Sequence, residues 1–355
     1  MQNRKIRLGI VGATGYVGME LCRLALGHPN FELTALCSRS YAGQTFSSIY
    51  PAFRGILDLT LTEATPDDLA EKCDVVITAL PHGVSAKIVP QLLETGLMVL
   101  DHSGDFRFHN VDIYEKTYKL THPHPELLKQ AVYGLPEWHR EALKDAPLIA
   151  NPGCYPTCTV MALAPLAAAD LIDTSVPCIV NAVSGTSGAG RKSDPTYNLA
   201  EMGGNFKPYG VVGHRHTPEM TEQLRELTDQ RIPLTFTPHL LPIGRGMLAT
   251  IYVKPNDAGR QRCADGSLPA LFKETYETEP FVRVLNEGDV PSIAAVAGTN
   301  FCDLAVTYDP SVDLIKLFSA IDNLGKGACA QAIQALNVRL GLPETAGLEH
   351  IALGL

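Results

Sequence analysis

The sequence contains little that would mark a nucleic-acid-binding or membrane protein. Its 29 lysines and arginines are outnumbered by 38 acidic residues, which gives a net charge of −9. Nucleic acids and anionic membranes attract cationic surfaces, so this balance argues against either as the main partner. No uninterrupted apolar run reaches the roughly 20 residues that a membrane span needs. Internal repeats and low-complexity blocks are also missing from the chain.

A disulfide framework is missing as well. The nine cysteines show no paired spacing, and their number is odd. The chain starts with polar residues in place of an apolar signal segment. Both features are typical of free thiols in a reducing compartment, so we expect a cytoplasmic protein.

The rest of the composition is that of an ordinary globular protein. Hydrophobic residues make up 45% of the 355 positions and charged residues 19%. This content predicts a large core, and the length is enough for two domains.

The most informative stretch is 151–157, with the letters NPGCYPT. Asn-Pro-Gly predicts a tight turn, because proline fixes φ and glycine permits positive φ. An apolar run with helical spacing follows over 157–164. Cys154 is therefore expected at a helix N-terminus, where unpaired N–H groups and the positive dipole end favour a thiolate. This pattern fits a sulfur nucleophile, and the alternative is a buried cysteine behind a loop.

The first strand–helix junction predicts a dinucleotide site. A short apolar strand at 6–11 is followed by a turn at 12–18 with the spacing Gly-x-x-Gly-x-x-Gly, and then by a helical pattern over 19–26. Small residues at such a turn let the backbone approach a pyrophosphate at the helix N-terminus.

The end of the next strand, at 31–37, indicates which dinucleotide binds. An NAD enzyme usually has an acid there for the ribose 2′-hydroxyl, whereas this chain has Ser38, Arg39 and Ser40. A cation and hydroxyls suit a 2′-phosphate, so NADP(H) is the expected cofactor. The alternative is that Arg39 is a solvated loop residue.

Alternating elements in the first half predict a doubly wound parallel sheet. A buried strand at 73–80, a helix over 84–94 and a strand at 97–100 follow one another. Ligands of such sheets bind at the carboxyl ends of the strands. Arg107 follows one of these ends and is a candidate clamp for an anionic substrate. It is equally a candidate partner of Asp105 in a purely structural pair.

The second half is strand-rich. Strands are predicted over 177–183, 234–243, 248–253, 281–284, 301–308 and 314–319, the last two joined as a hairpin. A glycine-rich loop at 184–192 is a candidate for contact with phosphate or nicotinamide, or else only a flexible crossing. The fold expected is therefore α/β. It has a Rossmann-type NADP-binding domain over 1–153, an α+β domain with a mixed sheet over 154–325, and a C-terminal helical segment, 326–355, that packs back on the first domain.

A helix start near 217 carries a candidate base. Thr217 resembles an N-cap, Pro218 fits the first helical position and Glu219 suits the first turn. His216 is then expected just outside the helix. The positive helix end should lower the pKa of His216 and keep its imidazole neutral, which is the form that a base needs.

Together these features resemble the N-acetyl-γ-glutamyl-phosphate reductases, the arginine-biosynthesis relatives of aspartate-semialdehyde dehydrogenase. The resemblance covers nearly the whole chain and is most specific at 151–157 and 214–219; its other carriers are 12–18, 103–107, 184–190, 238–246 and 323–328. Two residues depart from the usual pattern: Cys158 stands where Gly or Ala is common, and His102 where Leu is common. Cys158 lies one helical turn from Cys154 and is a candidate to perturb it, or to form a disulfide with it under oxidation.

The resemblance implies a reaction. The Cys154 thiolate attacks the acyl phosphate carbonyl, phosphate leaves, and NADPH reduces the resulting thioester to the semialdehyde. His216 is the expected base, with His214 as the fallback. Backbone N–H groups beside Cys154 are candidates to stabilise the oxyanion.

The residues and the resemblance together give the expected contacts. Cofactor contacts are expected from Gly12, Thr14, Gly15, Tyr16, Val17, Ser38, Arg39, Ser40, Ser184, Gly185 and Asn323. Substrate contacts are expected from Ser103, Arg107, Lys192, His214 and Arg245, with no division of carboxylate and phosphate among the cations. By family analogy, the strand-rich domain forms the interface of a homodimer or homotetramer.

Other readings stay open. Aspartate-semialdehyde dehydrogenase shares the mechanism on a shorter substrate, and a further relative reduces a carrier-linked aminoadipyl phosphate. A non-catalytic NADP-binding sensor would keep the fold and leave Cys154 inert. The His-x-His motifs at 122–124 and 214–216 are candidate zinc ligands, but each lacks a third ligand, and we expect no metal.

Overall fold

A computed structural model of the chain describes residues 4–191, 194, 197–352 and 354. The candidate residue Lys192 lies outside the described residues. The chain divides into two compact units. One comprises Met1–Pro152 with Ala328–Glu349, and the other comprises Gly153–Gly327 with His350–Leu355.

Helices and strands are numbered along the chain. The helices are α1 (Tyr16–Gly27), α2 (Phe46–Ile49), α3 (Pro66–Lys72), α4 (Ser85–Glu94), α5 (Val111–Tyr118), α6 (Pro125–Leu128), α7 (Pro136–Leu143), α8 (Cys154–Ala168), α9 (Leu199–Met202), α10 (His216–Thr228), α11 (Asp257–Ala264), α12 (Leu268–Thr275), α13 (Ile293–Val296) and α14 (Ala330–Arg339). The strands are β1 (Ile6–Val11), β2 (Phe31–Cys37), β3 (Val75–Thr78), β4 (Met98–Asp101), β5 (Ala131–Tyr133), β6 (Leu148–Ala150), β7 (Cys178–Gly185), β8 (Lys207–Pro208), β9 (Leu234–Leu241), β10 (Met247–Val253), β11 (Val282–Val284), β12 (Cys302–Asp309) and β13 (Leu314–Ile321).

Within the described residues, the first unit contains a six-stranded parallel sheet in the order β2-β1-β3-β4-β6-β5. Strands buried on both faces read as continuous apolar runs, as β3 does with all four residues buried. The order reverses beside β1, so the carboxyl ends of β1 and β3 border the crevice that such sheets use for ligands. The predicted doubly wound sheet is confirmed.

Helix α14 belongs to this first unit, where it packs against α7 and α1. Gln331 Nε2 donates to the Gly134 carbonyl at 2.6 Å, and Arg339 Nε donates to the Ala146 carbonyl at 2.7 Å. These bonds satisfy main-chain acceptors beside β5 and β6.

The second unit contains a mixed sheet, seven-stranded within the described residues, in the order β11-β12-β13-β10-β7-β9-β8. Helix α8 packs against β13 and β10 on one face of this sheet and against α10 on its other side. Every α8 residue from Tyr155 to Ala167 is buried, as expected for a helix that is apolar all round. The predicted mixed sheet and its β12–β13 hairpin are confirmed.

Two sequence-based boundaries were wrong. His216 is the first residue of α10 and Arg215 is its N-cap, so His216 lies inside the helix. The local bond that sets this start runs from the His216 N–H to His214 Nδ1 at 3.2 Å, in place of a cap by Thr217. The single helix predicted from residue 326 is a π-helical turn, Gly325–Cys329, followed by α14.

Among the described residues, no helix combines the length and apolar content needed to cross a membrane.

Candidate active site

Cys154 is the first residue of the fifteen-residue helix α8. Gly153 is the N-cap in extended conformation, with φ −71° and ψ 150°, and its carbonyl accepts the Thr157 N–H at 2.9 Å. Cys154 is partly exposed, whereas the residues that follow it in the helix are buried. The sulfur therefore lies where the helix N-terminus stabilises a thiolate, at the accessible end of a buried helix.

Helix α10 brings His216 and a buried acid to the same region. His216 is 4% exposed, and Glu219, one turn further along, is fully buried. Glu219 Oε1 accepts the Gly153 N–H at 2.8 Å, which ties α10 to the N-cap of α8. The candidate nucleophile is the first residue of α8 and the candidate base is the first residue of α10. The hydrogen bond between Gly153 and Glu219 connects the N-terminal ends of these two helices.

An aromatic cluster surrounds these helix starts. The Tyr155 ring lies 5.9 Å from the His214 ring and 5.9 Å from the His216 ring, between centroids. The Tyr209 hydroxyl donates to the Tyr155 hydroxyl at 3.0 Å, and Phe236 packs against Tyr155 at 5.0 Å. Burial raises the pKa of Tyr155, so its phenol stays protonated.

His214 is held in its neutral form. Burial, assisted by the neighbouring Arg215, lowers the pKa of His214 to about 4. Its Nδ1 accepts the His216 N–H, so this ring sets the start of α10. A group with so low a pKa is a weak base, which leaves His216 as the better candidate.

Cys158 is a buried thiol behind the nucleophile. Its Sγ donates to the Ser319 carbonyl and hydroxyl, each at 3.3 Å. Burial raises the pKa of Cys158 to about 12. Among the described residues, which include all nine cysteines, no disulfide is formed.

In the first unit, the glycine turn is shaped by steric necessity. Gly12 has φ +93°, and a Cβ built there would lie 2.3 Å from the Ala79 carbonyl oxygen. A Cβ at Gly18 would lie 2.4 Å from the Gly12 carbonyl oxygen. Only glycine fits either position, and the turn presents the start of α1 with Gly15 as its N-cap. Tyr16 and Val17 are the first two residues of α1.

The end of β2 lies beside this turn. The Thr14 and Ser38 hydroxyls are hydrogen-bonded at 2.8 Å, and Ser38 is 6% exposed. Arg39 and Ser40 follow β2 and are exposed. The glycine turn and the Ser38–Ser40 segment are therefore linked, as binding of one dinucleotide requires.

The second glycine-rich loop is held by Asn323. Its Oδ1 accepts the Gly246 N–H at 2.7 Å, and its Nδ2 donates to the Ser187 hydroxyl at 2.8 Å. Ser184 and Gly185 end β7, and a Cβ at Gly185 would lie 2.8 Å from the Gly244 carbonyl oxygen. The structure thus gives Asn323 a role in shaping this loop.

The candidate substrate residues of the first unit, Ser103 and Arg107, are hydrogen-bonded to other groups of that unit. The Ser103 hydroxyl donates to Asp101 Oδ2 at 2.5 Å and accepts the Asp105 N–H at 3.0 Å. Arg107 is 7% exposed; its Nε donates to the Asn151 carbonyl at 2.7 Å and its Nη2 to the His102 carbonyl at 2.9 Å.

Asp105 is committed to other groups of the same unit. It accepts the N–H groups of Gly83 and Ala86 at 2.8 and 2.9 Å and the Tyr114 hydroxyl at 3.0 Å. This carboxylate organises the loop that carries Ser103 and Arg107.

Arg245, in the second unit, is paired with an acid that sequence reasoning missed. Its Nε lies 2.8 Å from Asp322 Oδ2. Asp322 is fully buried and also accepts the Leu324 and Gly325 N–H groups at 2.8 and 3.0 Å. The sequence signal for Asp322 was its place directly before Asn323, three residues after the predicted strand 314–319.

His122 is occupied by hydrogen bonds at both ring nitrogens. Its Nε2 lies 3.0 Å from the Asp105 carbonyl oxygen, and its Nδ1 accepts the His124 N–H at 3.1 Å. This geometry explains the first His-x-His motif without a metal.

Comparison with known proteins places the chain. Two family models match it: the semialdehyde dehydrogenase NAD-binding domain over 7–146, and the semialdehyde dehydrogenase dimerisation domain over 154–323. The N-acetyl-gamma-glutamyl-phosphate reductase of Acetivibrio thermocellus is 49% identical over 343 residues, covering 97% of this chain and 98% of the relative. The enzyme of the same name from Desulforudis audaxviator is 48% identical, with the same coverage.

The chain belongs to the N-acetyl-γ-glutamyl-phosphate reductase family. The resemblance drawn from the sequence motifs is confirmed. Aspartate semialdehyde dehydrogenase II of Vibrio cholerae, solved as a complex with ASA, has a TM-score of 0.70 at 18% identity and covers 95% of this chain and 99% of its own. The Candida albicans aspartate semialdehyde dehydrogenase, solved with NADP, has a TM-score of 0.65 at 17% identity, covering 94% and 99%. These structures share the fold of the reductase family.

Proposed function

We propose that the protein reduces N-acetyl-γ-glutamyl phosphate with NADPH to N-acetyl-glutamate 5-semialdehyde and phosphate, a step of arginine biosynthesis. The observation that carries this proposal is the 49% identity to a reductase of that name over 97% of the chain. The joined starts of α8 and α10, with Cys154 and His216 at their first residues, support it.

The residues of the first unit fit NADP(H). At Gly15 the turn leaves the place of a Cβ open, and the α1 N-terminus that follows suits a pyrophosphate. Gly12, Thr14, Gly15, Tyr16 and Val17 would hold the diphosphate. When bound, NADPH supplies the reducing equivalent for the thioester carbon.

We assign binding of the adenosine end of NADP(H) to the segment after β2. Ser38, Arg39 and Ser40 would hold the 2′-phosphate, since they offer two hydroxyls and a cation and no carboxylate. Ser184, Gly185 and Asn323 are proposed for the nicotinamide end, supported by the hydrogen bonds of Asn323 that shape that loop.

The chain's own residues carry the acyl transfer. His216 accepts the Cys154 proton, and the thiolate attacks the acyl phosphate carbonyl carbon. The carbon–oxygen bond to phosphate breaks and a Cys154 thioester remains. After reduction of that carbon, His216 returns its proton to the oxyanion or to the leaving sulfur. N–H groups at the start of α8 stabilise the negative charge that develops beside Cys154.

Substrate binding is assigned to cationic and polar side chains. Arg245, with a side chain 29% exposed, and His214 are the candidates that the second unit contributes within the described residues. Ser103 and Arg107 are the candidates of the first unit, and Lys192 keeps its candidacy from the sequence. Each has a polar or charged group suited to the carboxylate or phosphate of the substrate.

The second unit is proposed as the catalytic and dimerisation domain of a homo-oligomer. Alternate residues on one face of its sheet are partly exposed, and Ile179 on β7 is 45% exposed. The match to a dimerisation domain over 154–323 supports a second copy as the occupant of this face, in a homodimer or homotetramer. Light scattering of the wild type and of Ile179→Glu tests this, because a buried charge would shift the protein toward monomer. A cytoplasmic location is supported by nine cysteines that form no disulfide within the described residues.

The reverse reaction tests the proposed function, because the acyl phosphate is unstable. The protein is mixed with N-acetylglutamate semialdehyde, phosphate and NADP, and NADPH absorbance is followed. Phosphate-dependent NADPH formation that disappears in Cys154→Ser and falls in His216→Ala supports the proposal. Activity on aspartate semialdehyde alone would reassign the substrate, and activity only on a carrier-linked semialdehyde would point to the lysine-type relative. No activity on any of them would favour an NADP-binding sensor.

A further inference from the structure

We propose that Glu219 is a positioning residue, which fixes Gly153, the N-cap of the helix that begins at Cys154, to the helix carrying His216. The inference deepens the proposed function and rests on it, since it takes Cys154 as the nucleophile and His216 as the base. The proposed role belongs to the Glu219 carboxylate and is inferred from its burial and its hydrogen bond to Gly153.

The contact is between a buried acid and a main-chain donor. Glu219 is fully buried, and its Oε1 accepts the Gly153 N–H at 2.8 Å. Gly153 is the N-cap of α8, so its N–H lies outside the helix's own hydrogen bonds and needs a partner. Glu219 provides that partner from another helix.

The placement of Glu219 on α10 gives the contact its consequence. His216 and Glu219 are three residues apart, which puts them on the same side of the helix. Both are buried, and α10 packs along α8. The separation between the Cys154 sulfur and the His216 ring is therefore set by one helical turn, one hydrogen bond and one peptide link. An acceptor drawn away from the Gly153 N–H would change that separation directly.

Two conservative substitutions separate the hydrogen bond from the charge. Glu219→Gln keeps an amide oxygen at the same reach and removes the charge. Glu219→Asp keeps the charge and draws the oxygen back by one methylene. If Glu219 acts by position, Gln is tolerated and Asp is not. If it acts by charge, the order is reversed.

The experiment measures kcat and KM for N-acetylglutamate semialdehyde, together with alkylation of Cys154 by iodoacetamide across pH, read on the Cys154 peptide. Glu219→Gln is expected to keep kcat within about threefold of wild type, since its acceptor remains. Glu219→Asp is expected to lower kcat by about 10²-fold with little change in KM, as a displacement of about 1 Å does. Its alkylation midpoint should move to higher pH, because the thiol loses alignment with its base; the Gln midpoint should stay.

The matched control is Gln223→Ala. Gln223 is 1% exposed and lies one turn after Glu219 on α10, with Nε2 donating to Glu226 at 3.1 Å. Its removal should lower the melting temperature and leave kcat and the alkylation midpoint near wild type. The proposal is overturned if Asp is as active as Gln, if Gln is as impaired as Asp, or if Gln223→Ala loses as much kcat as Asp. An inactive wild type with a normal alkylation profile would instead count against the proposed substrate, and the midpoints of the Gln and Asp variants would still decide the positioning role.

Discussion

The backbone of Gly327 lies against the side chain of Cys154. A Cβ built at Gly327 would be 2.9 Å from the Cys154 Cβ, closer than side chains tolerate, and 3.3 Å from its Cα. Gly327 is also held from the other side, because its N–H donates to the Asp322 carbonyl at 2.9 Å. The π-helical turn Gly325–Cys329 thus forms one wall of the nucleophile's site.

Gly327→Ala should therefore damage catalysis more than folding. The added methyl group displaces Cys154 by a fraction of an ångström to an ångström, and we expect kcat to fall by about 10²-fold. Steady-state kinetics and thermal melting measure the two effects. Gly27→Ala, at the end of α1 with no heavy atom within 4 Å of the added Cβ, is the control and should keep full activity. A Gly327→Ala enzyme with wild-type kcat would show that this wall does not position the sulfur.

Gly15→Ala separates cofactor binding from folding. A Cβ at Gly15 meets only the Gly12 carbonyl oxygen, at 3.6 Å, so the turn tolerates it. The methyl group would occupy the surface that a pyrophosphate approaches, and we expect the Kd for NADPH to rise at least about tenfold with an unchanged melting temperature. NADPH fluorescence titration measures the affinity. Gly18→Ala, with its 2.4 Å clash, should instead lose about 1–3 kcal/mol of stability.

Arg39→Ala tests the choice of dinucleotide. A charge-assisted hydrogen bond contributes about 1.5–3 kcal/mol, so its loss should lower the ratio of kcat/KM for NADPH over NADH by about 10-fold or more. The change should lie in the NADPH value, while the NADH value stays. Arg54→Ala removes another exposed cation from the same unit and serves as the control. If Arg39→Ala leaves the ratio of kcat/KM for NADPH over NADH unchanged, Arg39 is a solvated loop residue and does not contact the 2′-phosphate.

His102 predicts a specific loss of stability in acid. Burial, and then the nearby Arg107, lowers the pKa of His102 from 6.5 to about 3. Between these two values the unfolded chain binds a proton that the folded chain does not, so stability falls as pH falls through 6.5 toward 3. His102→Leu should remove about 1.4 kcal/mol of this loss per pH unit. Urea unfolding at pH 7 and pH 5 measures it, with the exposed His350→Leu as control. Equal slopes for the wild type and His102→Leu would contradict the prediction.

The elements that sequence reasoning placed best are those with a local cause. Strands β1 and β2 have the predicted bounds, because each is a largely apolar run closed by a turn signal. The helix start at Cys154 was also predicted, although Gly153 is extended, with φ −71° and ψ 150°, in place of the tight turn expected from Asn-Pro-Gly. The bounds of such elements are determined by residues that are neighbours in the sequence. They do not depend on contacts with distant parts of the chain.

The misses have a non-local cause or a competing local bond. The start of α10 was misplaced because the Thr217-Pro218-Glu219 pattern imitates a cap, while the His214 ring accepts the N–H that decides the boundary. Glu219 was read as a residue suited to the helix dipole, whereas its carboxylate serves a main-chain N–H 66 positions away in sequence. Asp322 reaches Arg245 over 77 positions. The spacing of residues within a short stretch of sequence gives no information about pairs that are so far apart in the chain.

Because α8 is buried on every side, we expect this helix to open rarely. Its amides from Tyr155 onward are shielded by packing and should open only when the whole second unit unfolds, so they belong to the last class to exchange with deuterium. The Cys154 sulfur is thus attached to the first residue of a helix whose amides should exchange in the slowest class. Any rearrangement that admits substrate or releases product must occur in the loops around this helix, and the nucleophile keeps its place from one turnover to the next.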